Sequence, residues 1–98
     1  MFTVQLVDDE PIVRVGLRKL IDWEELGFEV VCEAENGEEA LLQLENNHID
    51  VIITDIDMPI MDGIAFMSRV REKEYASEIL VLTAYSEFDY AKEAIKYG

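Results

Sequence analysis

The stretch Val51-Ile52-Ile53-Thr54-Asp55-Ile56-Asp57-Met58-Pro59-Ile60-Met61-Asp62-Gly63 decides how the rest of the chain reads. Its apolar run, Val51 to Thr54, has the length of a strand and no polar alternation, which suits a strand covered on both faces. Asp55 and Asp57 close the run. Asp62-Gly63 then opens a helix with Phe66, Met67 and Val70 turned inward. A strand buried on both faces needs helices above and below it, so the neighbouring segments should alternate between strand and helix.

They do so in both directions. Upstream, the first strand spans about Phe2 to Val7, and a helix follows with Pro11 suited to its first turn. Val13, Leu17, Leu20 and Ile21 are spaced for one buried face of that helix. The second strand spans about Phe28 to Ala34, where Phe28, Val30, Cys32 and Ala34 alternate with Glu29, Val31 and Glu33, as near a sheet edge. Cys32 then reads as a small core residue. Asn36 caps the second helix, Glu39 completes a capping-box pattern, and Ala40, Leu41 and Leu44 form the apolar stripe. Downstream, a fourth strand is expected from about Ile79 to Thr83. Ser86 should cap a last helix packed through Ala91, Ala94 and Ile95, with Gly98 as its C-terminal cap. The sum is (βα)4, an α/β domain with a doubly wound parallel sheet. There is no internal repeat or low-complexity linker.

Composition narrows the function classes. The 98 residues suffice for one domain with one core, and half of them are hydrophobic. The apolar runs are too short to cross a bilayer. The start of the chain lacks the basic residues and small-residue cleavage site of a secretory signal, and the single cysteine cannot form an internal disulfide; both features point to the cytoplasm. With 22 acidic against 8 basic residues the net charge is -14, which would repel phosphate backbones. Direct nucleic-acid binding by this domain is therefore not expected.

The chemistry lies at strand ends. Asp8-Asp9-Glu10 follows the first strand, Asp55 and Asp57 follow the third, and Thr83 ends the fourth. In an open parallel sheet all strand carboxyl ends share one rim, and ligands bind where the strand order reverses. If strands one and three are neighbours there, Asp8, Asp9 and Asp55 converge. Carboxylates that close repel one another, and a hard divalent cation is the natural compensation. Taken singly, an acid after a strand is most often a turn former or a cap, and Asp50 and Asp62 are read that way. The order of the three strand ends, Asp-Asp, then Asp, then Thr-Ala, is what weighs against that bland account.

The runs Leu6-Val7-Asp8-Asp9-Glu10-Pro11, Ile53-Thr54-Asp55 through Asp62-Gly63, and Leu80-Val81-Leu82-Thr83-Ala84-Tyr85 resemble, along the whole chain, the receiver domains of two-component response regulators. The resemblance implies a flavodoxin-like fold and makes residues 1–98 a receiver domain that accepts a phosphoryl group on Asp55 from a sensor histidine kinase. It implies that Asp9 and Asp55 bind Mg2+ directly, Asp8 through a water, and Asp57 through its backbone carbonyl. Thr83 becomes the switch hydroxyl, and Met58-Pro59 shape the loop after the phosphoacceptor. Asp22-Trp23-Glu24-Glu25-Leu26-Gly27-Phe28 and Ser86-Glu87-Phe88-Asp89-Tyr90-Ala91 are similar to the YesN-like receivers that precede AraC-type DNA-binding output domains.

The chain departs from that family pattern at its C-terminal side. The family fold has a fifth strand and helix, and its lysine belongs to the end of that strand; here the domain reads as C-terminally incomplete. Lys92 and Lys96, on the fourth helix, should not replace that lysine. The fourth strand would then be an open apolar edge, inviting a homodimer or completion by a longer protein, and light scattering would test this. Asp57 could orient or repel the water that attacks the acyl phosphate. His48 reads as a surface residue, and Trp23 as a packed loop aromatic. Two rival functions stand beside the receiver. One is a haloacid-dehalogenase-like phosphatase built on Asp55-x-Asp57, which would need that motif near its start and further motifs downstream. The other is an interaction module that works without phosphorylation.

Overall fold

The computed structural model describes residues 1–82. Its elements are β1 (Phe2–Val7), α1 (Pro11–Leu20), β2 (Phe28–Ala34), α2 (Gly37–Asn46), β3 (Val51–Asp55), α3 (Gly63–Glu72) and β4 (Glu78–Leu82). The expected fourth helix, with Ser86, Ala91, Lys92, Ala94, Ile95, Lys96 and Gly98, lies outside the described residues, as does Thr83. The expectation of an open edge beyond β4 lies there too.

The four strands form one parallel sheet in the order β2-β1-β3-β4. β1 pairs with β2 on one side and with β3 on the other, so the order reverses at β1. Helices α2 and α3 cover one face: Ala40, Leu44, Phe66 and Val70 meet Val7, Ile52 and Ile79 in the larger core cluster. The opposite face holds Val4, Leu6 and Ile53, with Leu17 and Trp23 packed against them. Trp23 is the packed loop aromatic expected of it. Its indole N–H donates to the Leu17 carbonyl at 3.1 Å, and its ring meets Phe28 edge-on.

Local chemistry accounts for the helix starts. The Asn36 side chain accepts from Glu39 N–H at 2.9 Å and the Asp62 side chain from Ala65 N–H at 2.8 Å, so both are N-caps. Pro11 occupies the first turn of α1. Asp50 serves at the other end of the sheet, where its carboxylate accepts the Thr3 N–H at 2.8 Å and meets His48 at 2.9 Å. Thus Asp50 ties two strand starts together and caps no helix. His48 is exposed, as expected.

Two sequence expectations need correction. Leu20 is 87% exposed and Ile21 only half-buried, and α1 has no fully buried residue. The helix ends at Leu20, with Ile21 already in extended backbone, so the periodicity that placed both residues inward stops one turn early. Second, β2 does not alternate cleanly. Val4 pairs with Val30 but Gln5 pairs with Cys32, leaving Val31 as a bulge residue on the outer strand. A bulge disrupts the free ladder of an outer strand and so discourages pairing with another chain.

Gln5 is a polar residue fully buried in the central strand. Its side-chain amide donates to the Ala40 carbonyl at 3.0 Å and to Gln43 at 2.9 Å, which pins α2 to the sheet. Cys32 packs half-buried at the margin of the same cluster, and burial pushes its thiol pKa up, away from reactivity. No helix among the described residues is long and apolar enough to cross a membrane.

Candidate functional site

The pairing of β1 with β3 brings Val7 opposite Thr54, and the chain leaves both strands into the same rim. Asp8 and Asp9 follow the first; Asp55 ends the second. Each can offer a carboxylate oxygen such that the three lie within 4.8 Å of one another. The convergence expected from the sequence is therefore present for Asp8, Asp9 and Asp55.

Their environments differ. Asp8 is only 7% exposed. Burial, foremost, and then Asp55, Asp9 and Glu10 push its carboxyl pKa up to about 6, against the Glu10 N–H that donates to it at 2.9 Å. Asp55 is half-buried, and its pKa is also raised, chiefly by burial and further by Asp9 and Asp57. Hydrogen bonds from the backbone of Ile56 and Asp57 oppose that rise, the first at 2.8 Å. The Asp57 side chain is exposed. Two carboxyl groups raised by burial and by neighbouring acids stand in one cluster, and among the described residues no cationic side chain pairs with them. An all-carboxylate donor set of that kind fits a hard divalent cation.

The loop after β3 is held tightly. Gly63 begins α3 against the end of β3, and its N–H donates to the Ile56 carbonyl at 2.7 Å. A Cβ there would lie 2.2 Å from the Asp55 carbonyl oxygen, so only glycine fits. Gly37, at the start of α2, donates to the Met61 carbonyl at 3.0 Å, and a Cβ there would meet Met61 and Phe66 side-chain atoms within 2.9 Å. Between these anchors Ile60 has φ +68°, and Met61 N–H donates to the Pro59 carbonyl at 2.7 Å. This is a γ-turn of the strained, positive-φ kind, occupied by a β-branched residue that is 77% exposed. Met58, by contrast, packs on the larger core, which fits the structural part read for Met58-Pro59.

The sequence reading passed over one group beside the cluster. Arg14 on α1 donates through Nη1 to the Asp8 backbone carbonyl at 2.5 Å and through Nε to Glu33 of β2 at 3.1 Å. Arg18 reaches the other Glu33 oxygen at 2.7 Å. Glu33 lies on another element from both arginines, and Asp8 lies six residues before Arg14, so no helical or strand spacing rule joins these partners.

The chain matches the response regulator receiver domain family over residues 4–98. It is 39% identical over 98 residues to the transcriptional regulatory protein YesN of Bacillus subtilis, covering all of this chain and 27% of that protein. Among solved structures, the receiver domain of AraT, a response regulator from Geobacillus stearothermophilus, matches with a TM-score of 0.82 at 47% identity, over 99% of this chain and 75% of that one. The CheY chain of a CheX–CheY–BeF3–Mg2+ complex from Borrelia burgdorferi matches with a TM-score of 0.78 at 29% identity, over 99% of this chain and 72% of that one. Sheet order, acidic rim and relatives agree: this chain belongs to the response regulator receiver domain family, in the company of YesN- and AraC-type transcriptional regulators.

Proposed function

We propose that Asp55 is the phosphoacceptor of this receiver, taking a phosphoryl group from the phosphohistidine of a sensor kinase. The observation that carries this reading is the placement of Asp55 at the end of β3 with Asp8 and Asp9 beside it. Asp55 stands on a rigid central strand. Its carboxylate is only half-buried, within reach of a donor, and backbone N–H groups of Ile56 and Asp57 hold it in place. The new bond joins a carboxylate oxygen to phosphorus as the bond from phosphorus to the donor nitrogen breaks.

Asp9 and Asp55 would hold Mg2+ directly, Asp8 through a water, and Asp57 through its backbone carbonyl. The cation, when bound, offsets charge on the phosphoryl oxygens. Support comes from the uncompensated carboxylates of the rim and from the related CheY, solved with BeF3 and Mg2+. Thr83, one residue beyond β4, would supply a hydroxyl to the phosphoryl group. The exposed Asp57 side chain would influence how long the acyl phosphate survives attack by water. By its likeness to YesN, of which it spans 27%, the chain would work in the cytoplasm and control a DNA-binding output domain. Among the described residues the phosphatase alternative is disfavoured, because its second aspartate, Asp57, would have to serve as general acid from an exposed position.

The deciding experiment adds beryllofluoride and Mg2+ to the wild-type chain and to Asp55→Ala, followed by amide chemical shifts. Wild type should shift around β3 and the loops of the rim, and the variant should not. Equal responses would mean that phosphorylation is not the switch, leaving an interaction module.

A further inference from the structure

We propose that Arg14 is a positioning residue for the cation site, acting through the backbone of Asp8, with Glu33 as its anchor. This rests on the reading of Asp8, Asp9 and Asp55 as a Mg2+ site.

The peptide that joins Asp8 to Asp9 decides where the Asp9 carboxylate points. Its carbonyl, that of Asp8, accepts from Arg14 Nη1 at 2.5 Å. One residue edge earlier, the Asp8 N–H donates to the Ala34 carbonyl of β2 at 3.0 Å. The Asp8 carboxylate is held by Glu10 N–H at 2.9 Å. Arg14 is therefore the side chain that fixes the carbonyl of this turn. It can do so because Glu33 holds its other donor at 3.1 Å, and both are largely screened from solvent. Leu6 and Glu33 are partners in the β1–β2 register, so the anchor belongs to the same sheet as the acids it serves. Because α1 has no fully buried residue, this polar clasp adds to the Leu17 contact in placing the helix. An arginine suits the task because its rigid planar fork spans two separated acceptors in a fixed geometry, whereas a lysine offers a compact charge on a flexible stem.

The sign of the effect separates positioning from electrostatics. Removing a positive charge beside a cation site should tighten Mg2+ binding if only Coulomb forces act. Glu33 is shared by Arg14 and Arg18, so the group keeps a positive charge. Loss of the Arg14 bond to Asp8 should weaken binding instead, and Arg14→Lys, which keeps that charge, isolates the loss. Arg18 supplies the control. It pairs with the same Glu33 carboxylate at 2.7 Å, and its bond is to Glu33 rather than to Asp8.

The test titrates Mg2+ alone into the full chain at constant ionic strength, following the Asp9 and Asp55 amide signals. Melting in chelator is recorded in parallel. Arg14→Met and Arg14→Lys should each weaken Mg2+ binding by about tenfold or more, the usual scale for lost outer-shell support. Arg18→Ala should leave the affinity unchanged, though it melts lower. Should Arg14→Met fail to fold, Arg14→Lys, which keeps the charge and one contact, carries the decision. Unchanged or tighter binding in the folded Arg14 variants overturns the proposal, and so does equal weakening by Arg18→Ala. If wild type itself shows no saturable response, the cation reading falls and takes this inference with it.

Discussion

Asp8 is the residue at which burial and charge act together. Its pKa is raised to about 6 in the folded chain, while an unfolded aspartate titrates near 3.9. Below about pH 4 both states hold the proton and nothing is lost. Between about pH 4 and 6 the folded state keeps a proton that the unfolded chain has released, so stability falls as pH rises through that window. Above it the penalty is complete, on the order of 3 kcal/mol at most. We expect Asp8→Asn to be more stable than wild type in chelator at pH 7.5 and equal to it near pH 4, measured by urea unfolding. Gly63 carries the second residue-scale prediction. An alanine Cβ would press on the Asp55 carbonyl oxygen at 2.2 Å. Gly63→Ala should therefore cost about 1–3 kcal/mol in denaturant unfolding and shift the Asp55 amide resonance.

At the scale of elements, the helices on the two faces of the sheet are held differently. On one side α2 and α3 bury Ala40, Leu44, Phe66 and Val70. On the other side α1 rests half-exposed, through Leu17 and its arginines. Substituting Phe66 by Ala should cost about 3–5 kcal/mol, because the ring is fully buried and its removal leaves a cavity in the core. Leu20→Ala should change stability by less than about 0.5 kcal/mol, since that side chain already faces water. Equal losses in thermal melts of the two variants would contradict the helix end at Leu20. The caps at Asn36 and Asp62, by contrast, were legible from local sequence, because capping needs only residues three apart.

For the whole molecule, charge is the governing quantity. A net charge of -14 on one small domain concentrates repulsion, most of all at the rim where three carboxylates meet. Anything that binds this arrangement only when folded must stabilise it by mass action. We expect Mg2+ at about 100 times its dissociation constant to add about 2.7 kcal/mol to unfolding. That gain should be lost in Asp9→Asn and Asp55→Asn, and smaller at pH 5, where Asp8 is mostly protonated. Calorimetric melts at two pH values with and without Mg2+ would show it.

The sequence by itself determined the strand and helix alternation, the caps, and the identity of the acids at strand ends. All of these rest on spacings within a turn or two of chain. It also carried the family, because the Asp55 to Gly63 run is local. The tertiary structure decided what depends on pairing between distant segments. β1 lies between β2 and β3, and that adjacency turns Asp8, Asp9 and Asp55 from separate turn acids into one site. The bulge at Val31, the left-handed Ile60 and the clasp of Arg14 on Asp8 were likewise invisible beforehand. The bulge arises where two strand backbones pair, and the other two depend on how a loop or a side chain settles against its surroundings; no periodicity records these. The acidic residues were written in the chain, but their raised pKa values come from burial first, and then from their closeness in the folded sheet.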